Sequence, residues 1–186
     1  MWSRSVRKGR HLSTEGQGGF TLIELLITIV VLAVVVAIAL PNLALFITSS
    51  RLRASQSEFV SALTLARSEA TKRGSRVLVL PLGSMPGSEF LGGWTVCSDA
   101  DENGACDVAI PAIREYGPLA GQLRFTALVG TTTTAATSVA FDARGFLVPR
   151  TVLNFKLCGP TDPIRAYSIR LDPVGLADVV EMNSCT

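Results

Sequence analysis

An apolar run over residues 22–40 constrains this sequence most strongly, because only Glu24 and Thr28 interrupt it. As a helix rising about 1.5 Å per residue, the run would be roughly 28 Å long, close to the thickness of a bilayer core. Four basic residues precede it: Arg4, Arg7, Lys8 and Arg10. Because cations flank membrane spans on the cytoplasmic side, we expect a cytoplasmic N-terminus and an exported C-terminal domain.

Glu24 is the residue of this run that is least favourable to insert into a membrane. Insertion scales assign about 2.5–3.5 kcal/mol to a charge in mid-membrane, and less near the interface. The acid therefore either lies at headgroup depth or finds a cationic partner. A further interpretation is an ordinary signal peptide followed by a secreted enzyme, since Ala37-Ile38-Ala39 fits the small-x-small cleavage rule. The length of the run and the acid inside it argue against that interpretation.

The segment Gly18-Gly19-Phe20-Thr21-Leu22-Ile23-Glu24-Leu25 resembles the class III signal of type IV prepilins. The resemblance implies that a prepilin peptidase cleaves after Gly19 and methylates the new amine on Phe20. It also implies that Glu24 pairs with the N-terminal amine of a neighbouring subunit, and that Pro41 kinks the helix. We accordingly divide the chain into a removed leader (1–19), a transmembrane or filament-core helix (20–41), an amphipathic second half of the helix (42–74) and a β-rich head (75–186).

Charge and histidine content exclude several functional classes. The whole chain has 17 basic and 15 acidic residues. Without residues 1–19 the balance becomes thirteen to fourteen, so bulk charge gives no case for nucleic-acid binding. The single histidine, His11, lies in the leader, so the mature chain lacks Ser-His-Asp or Cys-His catalysis and histidine metal sites. No nucleophile–base constellation, P-loop or Rossmann pattern is present, and we expect no enzyme activity and no cofactor.

The remainder of the chain predicts one amphipathic helix followed by short strands. Apolar residues from Leu45 to Ala70 recur at helical spacing within residues 42–73. Arg67 falls on the opposite polar face, and Gly74 suits the position just after a helix end. The strand candidates are 76–81, 93–97, 109–116, 122–126, 138–141, 151–157, 165–171 and 177–181. The predicted fold class is therefore α+β, with a long N-terminal α-helix packed on a C-terminal antiparallel β-sheet domain.

A second resemblance covers most of the chain. The stretch Ala62-Leu63-Thr64-Leu65-Ala66-Arg67-Ser68-Glu69-Ala70 is similar to the helix signature of GspH/FimT-type minor pilins. Later blocks of that family resemble Gly93-Trp94-Thr95-Val96, Phe141-Asp142-Ala143-Arg144-Gly145 and Phe155-Lys156-Leu157-Cys158.

These resemblances imply a minor type IV pilin of the FimT or FimU type. Such a subunit would contribute to pilus assembly and initiation, and to pilus-dependent processes such as twitching motility, adhesion and DNA uptake. The alternative is a GspH-like minor pseudopilin of a type II secretion system. The implied partners are other minor and major pilins, the prepilin peptidase, the inner-membrane assembly platform and the lipid bilayer. The implied location is the bacterial inner membrane, with a single pass and a periplasmic C-terminal domain, and then the pilus or pseudopilus.

The cysteines predict disulfides. An even number of cysteines in an exported chain is typical of disulfide bonding, whereas zinc binding, the alternative, normally uses a C-x₂-C spacing that is absent. The simplest pairing is Cys97–Cys106 and Cys158–Cys185, one of three possible connectivities.

Two further sites remain open at this point. Asp99, Asp101, Asn103 and Asp107 occupy calcium-loop positions, but Ile110 stands where the bidentate glutamate belongs, and a polar hairpin turn is the alternative. Some FimT-type pilins bind DNA through a Gly-Arg-x-Arg motif, and here the matching stretch reads Gly175-Leu176-Ala177-Asp178. Scattered solvated charge is the alternative to a basic DNA-binding face built from Arg144, Arg150, Lys156, Arg165 and Arg170.

Overall fold

The computed structural model describes residues 19–83, 89–130, 137–160 and 166–185, except for the side chains of Pro41 and Asn42. Helix α1 extends over Leu22–Arg73. The chain divides into two compact units, residues 1–41 and 42–186. In the first unit every described side chain is exposed, and α1 is long and apolar enough there to cross a membrane. None of the described side chains of the apolar run is therefore buried.

The second part of α1 forms one wall of the head. Six small or apolar residues on one face are buried: Leu52, Phe59, Ala62, Leu63, Ala66 and Ala70. Their three-, four- and seven-residue spacings place them in one stripe, as helical geometry requires. The helix ends at Arg73, and Gly74 follows with φ +64° while its N–H donates to the carbonyl of Ala70 at 3.0 Å. This is the left-handed termination that glycine permits.

Two antiparallel sheets complete the head among the described residues. Their strands are β1 Val77–Pro81, β2 Trp94–Ser98, β3 Arg114–Tyr116, β4 Arg124–Val129, β5 Val139–Phe141, β6 Leu147–Val148, β7 Leu153–Cys158, β8 Ala166–Leu171 and β9 Ala177–Met182. One sheet has the order β3-β2-β1-β5-β6 and the other has the order β4-β7-β8-β9. A short 3₁₀ helix, Glu89–Gly92, precedes β2.

Phe59 lies at the centre of the core that α1 and both sheets share. Its ring makes edge contacts with Trp94, Phe125 and Phe155 at centroid distances of 5.1, 4.9 and 4.9 Å, and with Phe90 at 5.5 Å. Such edge-to-face pairs add to the burial of apolar area, which drives folding. The α+β class and the long helix packed on antiparallel sheet are confirmed.

The strand predictions were wrong in two respects. The short strand β6 was not predicted. The candidate 109–116 is a strand only over Arg114–Tyr116. Pro111 explains part of this difference, because proline cannot donate to a sheet ladder and is kept out of paired strand interiors.

Candidate functional site

The residues that the resemblance predicts for processing lie just before α1, and the predicted assembly residue Glu24 lies in its first turn. Thr21 caps the helix, because its hydroxyl accepts a hydrogen bond from the Glu24 N–H at 3.2 Å and its carbonyl accepts one from the Leu25 N–H at 3.1 Å. The Thr-x-x-Glu spacing is a capping signature that sequence reasoning missed. Gly19 and Phe20 precede this cap without regular structure, and Phe20 is 81% exposed. The two positions that the prepilin resemblance predicts for cleavage and methylation are therefore exposed.

Glu24 lies in the first turn of α1 with an exposed side chain. The helix macrodipole favours a negative charge at that end of the helix. Its carboxylate makes no ion pair with another described residue. Large exposed aliphatic side chains surround it along the helix, including Ile23, Leu25 and Ile27. Pro41 lies further along, within the bounds of α1.

The four cysteines are joined as Cys97–Cys106 and Cys158–Cys185. The first bond closes the loop after β2, where the Cα atoms of the two cysteines are 5.4 Å apart. The second ties the C-terminal segment to strand β7, with a Cα separation of 5.9 Å. Both separations lie in the usual range for disulfides. Cross-links of this kind restrict the unfolded chain and suit an exported domain.

In the loop that was a calcium candidate, the side-chain oxygens accept hydrogen bonds from N–H groups of the loop's own backbone. Asp99 is fully buried, accepts the Gly104 N–H at 3.2 Å and lies 3.7 Å from a guanidinium nitrogen of Arg76. Asp107 accepts the Ala100 N–H at 3.0 Å. Asp101 and Asn103 likewise bond within the turn. No group of three or more His, Cys, Asp or Glu side chains in the described part of the chain is arranged to hold a metal ion.

The described DNA candidates lie on strands β7 and β8 and around the turn 142–146. Lys156 and Arg170 alternate with the core-facing residues of β7 and β8, so they lie on the outer face of the four-stranded sheet. Arg170 lies 3.3 Å from the carboxylate of Asp172. Arg144 belongs to the turn between β5 and β6, and Arg165 lies outside the described residues.

Arg150 has two local partners. Its guanidinium lies 4.4 Å from the ring centre of Phe146 and 3.8 Å from a carboxylate oxygen of Asp142. Burial raises the pKa of Asp142. Hydrogen bonds from the N–H groups of Phe146 and Arg144, together with the charge of Arg150, outweigh burial and lower that pKa below its ordinary value.

Arg67 is a structural residue that sequence reasoning placed wrongly on the solvent face. It is half-buried, and its Nε donates to the carbonyl of Gly145 at 3.1 Å. Two tight turns meet there, because the Leu147 N–H donates to the carbonyl of Pro173 at 3.0 Å. We call the turns 142–146 and 172–176, together with Arg67, the turn clasp.

The signal for the turn clasp was present in the sequence. Both turns have the pattern Asp-x-x-Gly followed by an apolar residue, with Asp142 to Gly145 and Asp172 to Gly175. In both, the glycine N–H donates to the aspartate carbonyl, at 2.8 and 2.7 Å, and each glycine has φ +79°. The clasp joins β5 and β6 of one sheet to β8 and β9 of the other.

Comparisons with known proteins identify a family and an N-terminal motif. The model of the family described as type II transport protein GspH matches residues 55–175. A model of the prokaryotic N-terminal methylation motif matches residues 16–40. A search of curated protein sequences finds no match.

Two solved structures show the same fold. The type IV minor pilin FimU of Pseudomonas aeruginosa is 19% identical to this chain, with a TM-score of 0.60. The match covers 76% of this chain and 99% of the FimU chain. The minor pseudopilin EpsH of the type 2 secretion system of Vibrio cholerae is 13% identical, covers 70% of this chain and 96% of its own, and has a TM-score of 0.52.

Proposed function

We propose, for a chain that belongs to the GspH family of minor pilins and pseudopilins, that it is a minor type IV pilin helping to start and build a filament. Members of this family are structural subunits, not enzymes. The apolar helix anchors the subunit in the inner membrane with its head in the periplasm, and later packs in the filament core. The oxidising periplasm would keep both disulfides formed.

The observation that carries this proposal is the exposed acid in the first turn of an exposed apolar helix. In a bilayer or a helix bundle, an unpaired carboxylate at Glu24 loses its hydration without compensation. Cleavage after Gly19 would create an ammonium group on Phe20, only four residues from that acid. In a filament, the Phe20 amine of one subunit can pair with Glu24 of the next.

Such an ion pair mainly determines the axial register between neighbouring subunits. A buried ion pair contributes little net stability because desolvation offsets the Coulomb attraction, but a misplaced subunit would leave two buried charges unpaired. Glu24 therefore sets the axial position at which a subunit joins its neighbour. The partners in this step are other minor and major pilins. The prepilin peptidase acts before it, and the inner-membrane assembly platform takes part in it.

Substitution of Glu24 by glutamine tests the proposal, because it keeps shape and removes charge. We expect Glu24→Gln to be cleaved after Gly19 and held in the membrane, yet to be strongly reduced in sheared filaments. The matched control is Asp178→Asn, which removes an exposed acid from the head. Incorporation of Glu24→Gln at the level of the control would contradict the role of the acid.

The second candidate is a minor pseudopilin of a type II secretion system. The name of the matching family and the shared fold with EpsH favour it. Immunodetection of the chain in sheared surface pili supports the pilin. Loss of protein secretion with normal pili in a deletion strain supports the pseudopilin.

A further inference from the structure

Five consecutive apolar residues, 108–112, lie exposed on the surface of the head. The side chain of Val108 is fully exposed and that of Ile110 is 40% exposed. Single exposed apolar residues are common on any protein, but a continuous exposed run is not, and such a run is typical of a contact surface. We call this run the apolar tip.

The apolar tip is held in place at both ends. The Cys97–Cys106 disulfide ends just before it, and the Asp107 N–H donates to the carbonyl of Ser98 at 2.9 Å. On the other side the Ile113 N–H donates to the carbonyl of Val96 at 2.8 Å. The run is therefore presented in an ordered conformation, which reduces the entropy lost on binding.

The surroundings of the apolar tip are acidic. Asp101 and Glu102 are exposed on the same loop, and Asp107 is half-buried beside the tip. Two cations lie near the run among the described residues. Arg76 is already engaged by Asp99 and by Glu102, the latter at 2.9 Å. Arg114 follows the run and is exposed, with its guanidinium 5.1 Å from the ring centre of Tyr116. The complementary partner is thus an apolar surface bordered by lysine or arginine. A second copy of the same tip, or an anionic membrane surface, would be repelled.

The position of the loop favours a neighbouring head as the partner. The Asp99 N–H donates to the carbonyl of Arg76 at 3.0 Å, and Arg76 follows closely after the end of α1. The loop therefore adjoins the end of the head where α1 terminates, and not residue 42, where the apolar helix joins the head. We propose that the apolar tip docks on the head of a different pilin-like subunit, on an apolar surface bordered by cations.

This proposal rests on the proposed filament function, because the five residues of the apolar tip alone make a weak contact. Standard stable interfaces bury about 1,200–2,000 Å² in total, far more than one short segment offers. Two heads tethered by their helices in one filament have a high effective concentration, so a weak contact is sufficient to select a neighbour.

Photocross-linking in the producing cells tests the proposal with the full chain. A photoreactive amino acid replaces Val108, and in a control chain it replaces Thr126, which is exposed on strand β4 of the other sheet. We expect an adduct from position 108 with another protein that carries its own class III prepilin signal, and no such adduct from position 126. Adducts with lipid, with a second copy of this chain or with no protein would overturn the proposal.

A paired variant supplies an independent readout. Val108→Ser with Ile110→Ser should leave processing, disulfides and the unfolding midpoint unchanged, and should lower incorporation into sheared filaments by at least about tenfold, given the apolar area lost from the contact. Incorporation of this variant at the wild-type level would refute the docking role while leaving the filament function intact. Absence of even the wild-type chain from filaments would remove both.

Discussion

Substitution of Gly175 by alanine tests whether the turn clasp joins the two sheets as described. Gly175 has φ +79°, and a Cβ added there would overlap the carbonyl oxygen of Gly145 and lie 3.0 Å from Nε of Arg67. The neighbouring oxygen belongs to backbone that is itself hydrogen-bonded to Arg67, so it cannot move away freely. The variant therefore combines a backbone penalty with a packing penalty.

The two penalties can be separated with a second glycine. Gly104 has a nearly equal φ of +82°, but a Cβ there would meet nothing within 4 Å. Gly104→Ala should lose only the left-handed preference, roughly 1–2 kcal/mol. Gly175→Ala should lose that amount plus about 1–3 kcal/mol for overpacking. We expect a difference of about 2 kcal/mol between the variants, or about 1 M in urea midpoint for an m-value of about 2 kcal/mol/M.

Urea unfolding of the isolated head, residues 42–186, measures this difference. The buried core extends from Leu52 to Leu171, so this fragment contains all of it among the described residues. Both disulfides are kept oxidised, and tryptophan fluorescence follows unfolding because Trp94 is 1% exposed. Equal midpoints for Gly175→Ala and Gly104→Ala would refute the close approach of the two turns.

Three other substitutions test the packing of the head, each read by urea unfolding of the same fragment. Phe59→Ala should lower the free energy of unfolding by about 3–5 kcal/mol, because it empties the centre of the aromatic core; a loss below about 1 kcal/mol would contradict that position. Cys185→Ser should lower it by about 2–5 kcal/mol under oxidising conditions and change nothing under reduction; equal effects in both would contradict the bond to Cys158. The pKa of Asp142 is lowered in the folded head, so its ionised carboxylate stabilises the head above the unfolded pKa of about 3.9, and this contribution is lost as pH falls through the folded pKa. The difference in the free energy of unfolding between wild type and Asp142→Asn should therefore narrow on acidification. A difference that stays constant with pH would contradict the lowered pKa.

Local patterns predicted the helical half of the molecule well. The predicted apolar stripe is buried from Leu52 to Ala70, whereas its first residue, Leu45, is 55% exposed. Helix α1 ends at Arg73, just before Gly74. Both features depend on residues within a few positions of each other, for which helical periodicity and backbone preference suffice. The family and the α+β fold are confirmed on the same ground, because the motifs that carried them are contiguous.

The arrangement of the strands could not be predicted in the same way. The pairing of β1 with β5 brings Val77 opposite Phe141, far apart in the chain, and nothing local specifies it. Arg67 was misplaced because a charged residue at the edge of an apolar stripe is assigned to solvent by default. Its acceptor, Gly145, becomes visible only when the turns are assembled. Residues 109–112 of the exposed run were assigned to a strand because apolar residues are expected to be buried, although Pro111 argued against pairing.

The central claim is that the acid-bearing apolar helix is kept in the finished subunit, where a neighbour neutralises Glu24. Intact mass and N-terminal sequencing of the chain, purified from membranes and from sheared filaments, test this most directly. We predict a chain that begins at Phe20 with one added methyl group in both fractions. A chain that begins at Leu40, with the apolar helix removed, would contradict the account.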